Sequence, residues 1–523
     1  MRILKLLLSP IIISISTHGS GQILKKSELP IIIIHTQDDE IPDEPKIDAR
    51  MGIIYNGEGK INAINDNFNH YSGFIGIETR GNSTQDFDKK TYSIELRNAN
   101  NADLSVPLLG MDSEEDWILH AMVIDKSLLR IPYTFYLWQQ MGHYGSNWRF
   151  VELIIDGDYR GLYLLTERIK QGPNRVDIKP LESNDLSGDN ITGGYILRID
   201  WLDDALGFES NYQSMGGNQM LFQWYYPRAD RLKTEQMIYI QNWTADFESA
   251  LFAKPCSQDS KRAYTEYIDM NSFVDFMLIN EFSKNADGYK LSSYVHKQAD
   301  SEGGKLVAGP IWDFDQTYGL STVCSCHDPT GWTFLQNQDG CEDLESMPLW
   351  WSTLVKDSVF RNALIRRWNH LRATVLDLDS IYNWIDTYED QILEARQRNY
   401  TRWPNVIGES IWIEPEPIPQ TYEAEINQLK TWIEKRIVWI DSNIQQISTE
   451  NRVEIGINPN PSKGIFTIET QEVIKAKVYN IEGQLIVETD KKKIDLSEYS
   501  NGFYIIRIEI DGALVCAQKV LKG

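Results

Sequence analysis

At 523 residues, 42% hydrophobic and 24% charged, the chain has the length of two to four domains and too much apolar content to be disordered in bulk. Its 51 basic and 75 acidic residues leave a net charge of −24, which excludes nucleic acid and anionic lipid as partners unless a local basic patch intervenes.

In chain order, Arg2 and Lys5 precede an apolar run over residues 6–15, and small residues follow around Gly19 to Gly21. That is the pattern of a secretory signal peptide, expected to span 1–21. Pro10, Ser14 and Ser16 keep the run below the ~20 apolar residues of a membrane span, and no later stretch is longer. The mature chain is therefore expected to lack a transmembrane segment. Residues 22–50 read as a lead segment containing one short strand-like run, 31–34. A main domain over 51–447 follows, with strands at 74–80 and 91–96. Asp156-Gly157 turns runs 150–155 and 161–166 into a hairpin. Helix-period patterns cover 127–141, 271–284, a long stretch 357–398, and 421–443. Trp368, Trp384 and Trp439 fall on these patterns and are expected in the core rather than on a sugar-binding platform. The tail, assigned to 453–523, is charge-neutral when counted from residue 451, free of the chain's 16 tryptophans, and built of short alternating runs between Gly turns. A small β-sandwich fits it. The fold class is α+β, with a helical C-terminal half and an all-β tail.

Five cysteines, Cys256, Cys324, Cys326, Cys341 and Cys516, belong to an exported chain, where disulfides persist. The Cys324-x-Cys326 spacing argues against a zinc knuckle. Bridges are expected among the first four, closing a loop-rich insertion that has little else to hold it, with Cys516 left over.

The segment 279–315 carries the chemistry. A helix leads into a loop with Asn285 and Asp287, then a strand, a turn and a second strand, ending at Asp313 and Asp315. Neighbouring strands lie about 4.8 Å apart, so the hairpin returns Asp313 close to Asp287. Convergent carboxylates of this kind hold Mg²⁺ or divide into a base and a metal ligand. No histidine has a partner at metal spacing, and no Ser-His-Asp or nucleophile-elbow pattern occurs. Glu152 and Glu167 stand as a glycosidase pair without a second supporting motif.

An ordered set of motifs runs through the same region. Arg80-Gly81-Asn82-Ser83 precedes Lys89-Lys90-Thr91-Tyr92; Leu109-Gly110-Met111, Asp116-Trp117 and Asp125-Lys126-Ser127 follow; Gly193-Gly194-Tyr195, Asn285-Ala286-Asp287-Gly288-Tyr289 and Trp312-Asp313-Phe314-Asp315 complete it. The set resembles the CotH kinase-like family of atypical protein kinases, closely over 71–319 and on to about residue 445. The resemblance implies a strongly diverged protein-kinase-like core, ATP with Mg²⁺, and phosphoryl transfer to a protein substrate. It implies Asp287 as the catalytic acid and Asp313 and Asp315 as metal ligands. It also implies Arg80, Lys90, Glu167 and Asn285 as cofactor-binding residues, with Glu167 paired to Lys90. One departure stands out: Ser292 occupies the place where relatives carry an asparagine for a second metal, leaving Asn285 to substitute. The alternative is a non-catalytic surface adhesin on the same scaffold. Independently, Asn458-Pro459-Asn460-Pro461, Tyr479-Asn480, Gly502-Phe503-Tyr504 and Gln518-Lys519-Val520-Leu521 resemble the C-terminal sorting domain of the type IX secretion system of Bacteroidetes. That implies export by this machinery to the cell surface.

Overall fold

The computed structural model describes residues 24–81, 83–201, 206–252, 263–339, 341, 347–411, 413–448, 455–470, 472–510 and 512–523. The expected signal peptide, Asn82 and Cys256 lie outside the described residues. Seven strands close a barrel: β1 (Ile31–His35), β2 (Ile47–Ile54), β3 (Tyr71–Arg80), β4 (Thr91–Arg97), β5 (Asp116–His120), β6 (Trp148–Ile155) and β7 (Asp158–Glu167). Their order is β6-β7-β5-β4-β3-β2-β1, and a parallel pairing of β1 with β6, from Glu152↔Ile31 to Ile155↔Ile34, shuts it. The barrel thus begins inside the segment read as a lead. Ile32 and Ile34 join Ile53, Ile75, Ile94 and Leu119 in the interior, whereas Ile31 packs outward against Ile154 and Tyr159. An uninterrupted apolar run suits a strand buried on both faces. At the β6–β7 turn Asp156 and Gly157 have φ of 47° and 79°, both positive as a two-residue type I′ hairpin requires.

Helix α1 (Arg130–Gln140) leaves the barrel between β5 and β6 and opens the second half of the molecule. There a five-stranded antiparallel sheet of β8 (Tyr195–Ile199), β9 (Gly207–Gln213), β10 (Gln219–Tyr226), β11 (Ser293–Lys297) and β12 (Leu306–Ala308) runs in the order β9-β10-β8-β11-β12. It is accompanied by α2 (Thr234–Phe252), α3 (Met270–Ser283), α4 (Ser358–Arg372), α5 (Leu378–Gln391), α6 (Leu393–Arg402) and α7 (Tyr422–Asn443). Acceptor side chains start four of these helices. Asp269, Asp357, Asp377 and Thr421 each cap a backbone N–H of the first turn. The stretch 357–398, continuous in helical period, is cut into α4, α5 and the start of α6, because the Asp377 cap starts a new helix after a short turn. Trp368 and Trp384 are buried in the largest core cluster and Trp439 is packed against it, as expected of core residues. Among the described residues no helix is long and apolar enough to cross a membrane. The tail forms two small antiparallel sheets of three and four strands around Ile457, Phe466, Val478, Ile494 and Ile506.

Helix α6 is bolted to the barrel wall by polar contacts. Asn399 accepts from the Lys89 ammonium at 3.0 Å and from Leu162 N–H at 3.2 Å. This approach needs Gly161, where φ is 108° and an added Cβ would fall 2.4 Å from the Asn399 oxygen. One residue earlier, Arg398 donates through Nε to the fully buried Glu152 at 3.0 Å, and Ser27 and Tyr159 donate to the same carboxylate. Replacing Arg398 by Met leaves Glu152 buried without its cation. We expect a loss of about 3–5 kcal/mol in urea unfolding, partly recovered in the Arg398→Met/Glu152→Gln double variant.

Candidate functional site

The candidate site begins where α3 ends. Lys284 closes the helix in the left-handed region, φ 47°, and sends its ammonium to the carbonyls of Ser325, Asp328 and Thr330 at 3.0, 2.8 and 2.5 Å. From α7, Arg436 donates to the carbonyls of Glu281, Pro329 and Gly331 at 2.8, 2.8 and 2.7 Å. The Glu281 carboxylate accepts from Thr333 N–H, Phe334 N–H and the Tyr289 hydroxyl at 2.7, 3.0 and 2.8 Å. Buried charges therefore lace the cysteine-containing insertion to α3, which corrects the expectation that only disulfides hold it. Cys324 and Cys341 are bonded, closing a separation of 17 residues. The remaining cysteine assignment also changes: Cys516 is disulfide-bonded, and Cys326 is a buried free thiol whose pKa burial pushes up to about 11.

Beyond Lys284 the chain makes the loop that carries Asp287, then β11 and β12 form the expected hairpin, with Val295 opposite Ala308. The hairpin delivers Asp313, in the left-handed region at φ 61°, and Asp315. Gln316 donates through Nε2 to Asp287 at 3.2 Å, and its carbonyl accepts from Ala286 N–H at 3.3 Å, so the two ends of the segment touch. Ser292 donates to Asp313 Oδ2 at 3.2 Å. Burial, followed by the charges of Asp313, Asp287 and Asp125, holds the Asp315 carboxyl well above the usual carboxylate range. Asp313 is raised in the same way by burial and by Asp200, against the opposing pull of Ser292 and Arg80. One oxygen each of Asp313 and Asp315 and one ring nitrogen of His120 lie within 4.8 Å of one another. His120, at the end of β5, was passed over in the sequence because its partners are on a distant element. Its Nδ1 accepts from Met122 N–H at 3.1 Å, so the proton of the neutral ring sits on the other nitrogen, which acts as a donor. The hard oxygens of Asp313 and Asp315 fit Mg²⁺.

The other expected residues divide. Arg80, at the end of β3, lies 5.9 Å from the Trp312 ring centre, and its charge bears on both Asp313 and His120. Its guanidinium has no hydrogen-bonded partner among the described residues. Asn285 is buried and its side-chain oxygen accepts from Asp287 N–H at 3.1 Å, which shapes the loop. Lys90 donates to the carbonyl of Gln85. Its neighbour Lys89 is the buried cation, donating to the carbonyls of Ala121 and Leu162 at 2.8 and 2.7 Å, with a pKa lowered by burial to about 7. Glu167 pairs with Arg175 at 2.9 Å and accepts from Asn147, so it is not the partner of Lys90. With Glu152 tied to Arg398, neither glutamate of the glycosidase pair is free for that role. A second acidic triad, Glu114, Glu115 and Asp116, already has a cation: the Lys170 ammonium pairs with all three.

The acid cluster is held from behind by Arg130, the fully buried first residue of α1. It donates to Asp125 Oδ1 at 2.6 Å, to Glu425 of α7 at 3.0 Å and to the carbonyl of Thr317 at 3.1 Å. Asp125 is the same carboxylate whose charge reaches Asp315.

Residues 77–440 match the family model described as CotH kinase protein, and residues 456–522 match that of the secretion system C-terminal sorting domain. The first two barrel strands precede the first match. The second match marks the chain for secretion and cell-surface attachment. No curated protein matches the chain.

A raised carboxyl pKa means that the ionised group opposes folding above the ordinary carboxylate range and ceases to do so when protonated. In metal-free buffer Asp315→Asn is therefore expected to be more stable than the parent at pH 7, by on the order of 1–3 kcal/mol. The difference should shrink as pH falls through the raised pKa of the folded form and level off below the ordinary value of 3.8, where the unfolded form is protonated as well; thermal melts across that range check it.

Proposed function

For a chain that belongs to the CotH kinase protein family, we propose Mg²⁺- and ATP-dependent phosphoryl transfer to Ser or Thr hydroxyls of a protein substrate, at or near the cell surface. The observation that carries this reading is that oxygens of Asp313 and Asp315 gather at one point with His120, within reach of the charges of Asp287 and Arg80. Phosphoryl transfer asks for positioning and charge neutralisation more than for covalent help. Asp287, on a loop fixed by Asn285 and Gln316, orients the acceptor hydroxyl and receives its proton. Asp313 and Asp315 hold the metal, which when bound neutralises phosphate charge. Crowded carboxylates whose ionised forms are disfavoured gain most from a divalent cation. Arg80 supplies a guanidinium for phosphate oxygens, and His120 adds a neutral donor. Lys89 and Lys90 are engaged with protein carbonyls, so Arg80 takes the place expected for Lys90.

Ser292 gives the second reading its support. Its hydroxyl is turned to Asp313, which leaves the site without the amide ligand of relatives and favours a non-catalytic surface binding protein on the same scaffold. In either case the tail directs handling by the type IX machinery, and we propose an N-terminal leader for the first membrane.

The two readings separate in two variants. Asp313→Asn is expected to abolish Mg²⁺-dependent ATP binding, and Asp287→Asn to spare binding while lowering transfer at least ~100-fold. Calorimetry with Mg²⁺-ATP and transfer of labelled phosphate to a Ser/Thr-rich protein measure the two. Absence of nucleotide binding by the parent chain would establish the second reading.

A further inference from the structure

A cleft of about 510 Å³ opens between the barrel and the helical half and shares no lining residue with the acid cluster. Its volume lies within the range of small-molecule sites. One wall is aromatic. Tyr136 of α1, Trp148 of β6 and Tyr388 of α5 are each half-buried. Trp148 meets Tyr388 at 5.3 Å and Phe150 at 5.4 Å, and Tyr388 packs at a tilt of 35° on buried Trp384 at 4.3 Å. The rings are thus fixed by the core before any ligand arrives. Tyr55, from the loop after β2, is also half-buried and lines the cleft.

Planar polar groups interrupt these rings. Gln139, Arg149 and Gln391 line the same cleft. Arg149 gives Nε to the carbonyl of Leu109 and one terminal nitrogen to the carbonyl of Trp148, at 3.1 and 2.7 Å, which leaves its other terminal nitrogen for a ligand. The hydroxyls of Tyr55, Tyr136 and Tyr388 and the indole N–H of Trp148 have no protein partner among the described residues. The exposed carboxylates of Glu28 and Glu58 offset Arg149, so the cleft carries no dominant sign of charge.

Each alternative leaves something unsatisfied. An apolar peptide side chain would cover phenols and an indole N–H without pairing them, at the usual penalty for an unpaired polar group. An anion would face Glu28 and Glu58, and a cation would face Arg149. A pyranose has C–H faces that lie flat on aromatic rings and a rim of hydroxyls that meet donors and acceptors in the ring plane. Tyr and Trp present the matching combination of apolar body and polar edge.

We propose that this cleft binds a short neutral oligosaccharide, with sugar faces on Trp148 and Tyr388 and hydroxyls bonded to Arg149, Gln139, Gln391 and the tyrosine hydroxyls. A protein sorted to the cell surface is placed where such ligands occur. The site is independent of the phosphoryl-transfer reading.

The test is calorimetric titration of the full chain with a panel of di-, tri- and tetrasaccharides of glucose, mannose and N-acetylglucosamine. At least one is expected to bind, with affinity reduced tenfold or more in Tyr388→Ala, and several-fold in the exposed-site variant Gln391→Ala at unchanged melting temperature. Asp313→Asn should bind the sugar as the parent does. Failure of the whole panel, or binding that survives both cleft variants, overturns the proposal. So does an aromatic-rich peptide that binds more tightly than any sugar and is lost in the same two variants. If Tyr388→Ala fails to fold, Gln391→Ala and Arg149→Ala decide the matter.

Discussion

The buried guanidinium of Arg130 sets the position of nearly everything around the acid cluster. It stands at the first turn of α1 and reaches the Asp125 carboxylate, Glu425 of the last core helix and the backbone two residues after Asp315. Three parts of the chain, far apart in sequence, are fixed relative to one cation. Burying such a group is costly, and the arrangement is helped by the further donors of Asp125, the closer of the two carboxylates facing it. Asp125 also accepts from the N–H and hydroxyl of Ser127 at 3.0 and 2.5 Å. Strain of this sort, where charges are gathered before a ligand neutralises them, is the usual compromise between stability and a working site.

A similar device holds the insertion after Asp315. Lys284 spends its protons on main-chain carbonyls, and Arg436 does the same apart from one longer contact to the Glu281 carboxylate at 3.4 Å, which ties an irregular loop down at several points. Because Lys284 immediately precedes Asn285-Ala286-Asp287, the same ammonium that anchors the insertion also fixes the root of the loop bearing Asp287. The disulfide Cys324–Cys341 is one restraint among several there.

The parts of this architecture that follow local rules were readable in advance. Alternation exposed β3, β4 and the β6–β7 hairpin, period located α1, α3 and α7, and the strand–turn–strand after Asp287 returned the chain so that Gln316 touches Asp287. What escaped depended on long-range contact. Nothing local distinguishes Lys89 from Lys90; the difference is that the barrel wall turns one side chain inward to Asn399 and the other along the loop. Nothing local ties His120 to Asp313, since a strand end and a hairpin exit meet only after folding. Glu167 looked available on its strand end, and Arg175, reached through an irregular segment, claims it. The 31–34 run was legible as a strand but not as a barrel strand, because its parallel partner lies beyond α1.

That partner has a consequence for the order in which the molecule is made. The seam between β1 and β6 joins segments about which Ser27 and Glu152, 125 positions apart, already touch, and it is buttressed by Arg398, a further 246 positions along. A chain delivered from its N-terminus therefore carries two unpaired strand edges until β6 and β7 have arrived, and the closed seam lacks its Arg398 buttress until α6 follows. Open edges of that length invite pairing with other chains, and contacts at such separation form slowly. Until that point the barrel is a sheet with a gap, and the gap must be kept from closing on a neighbour.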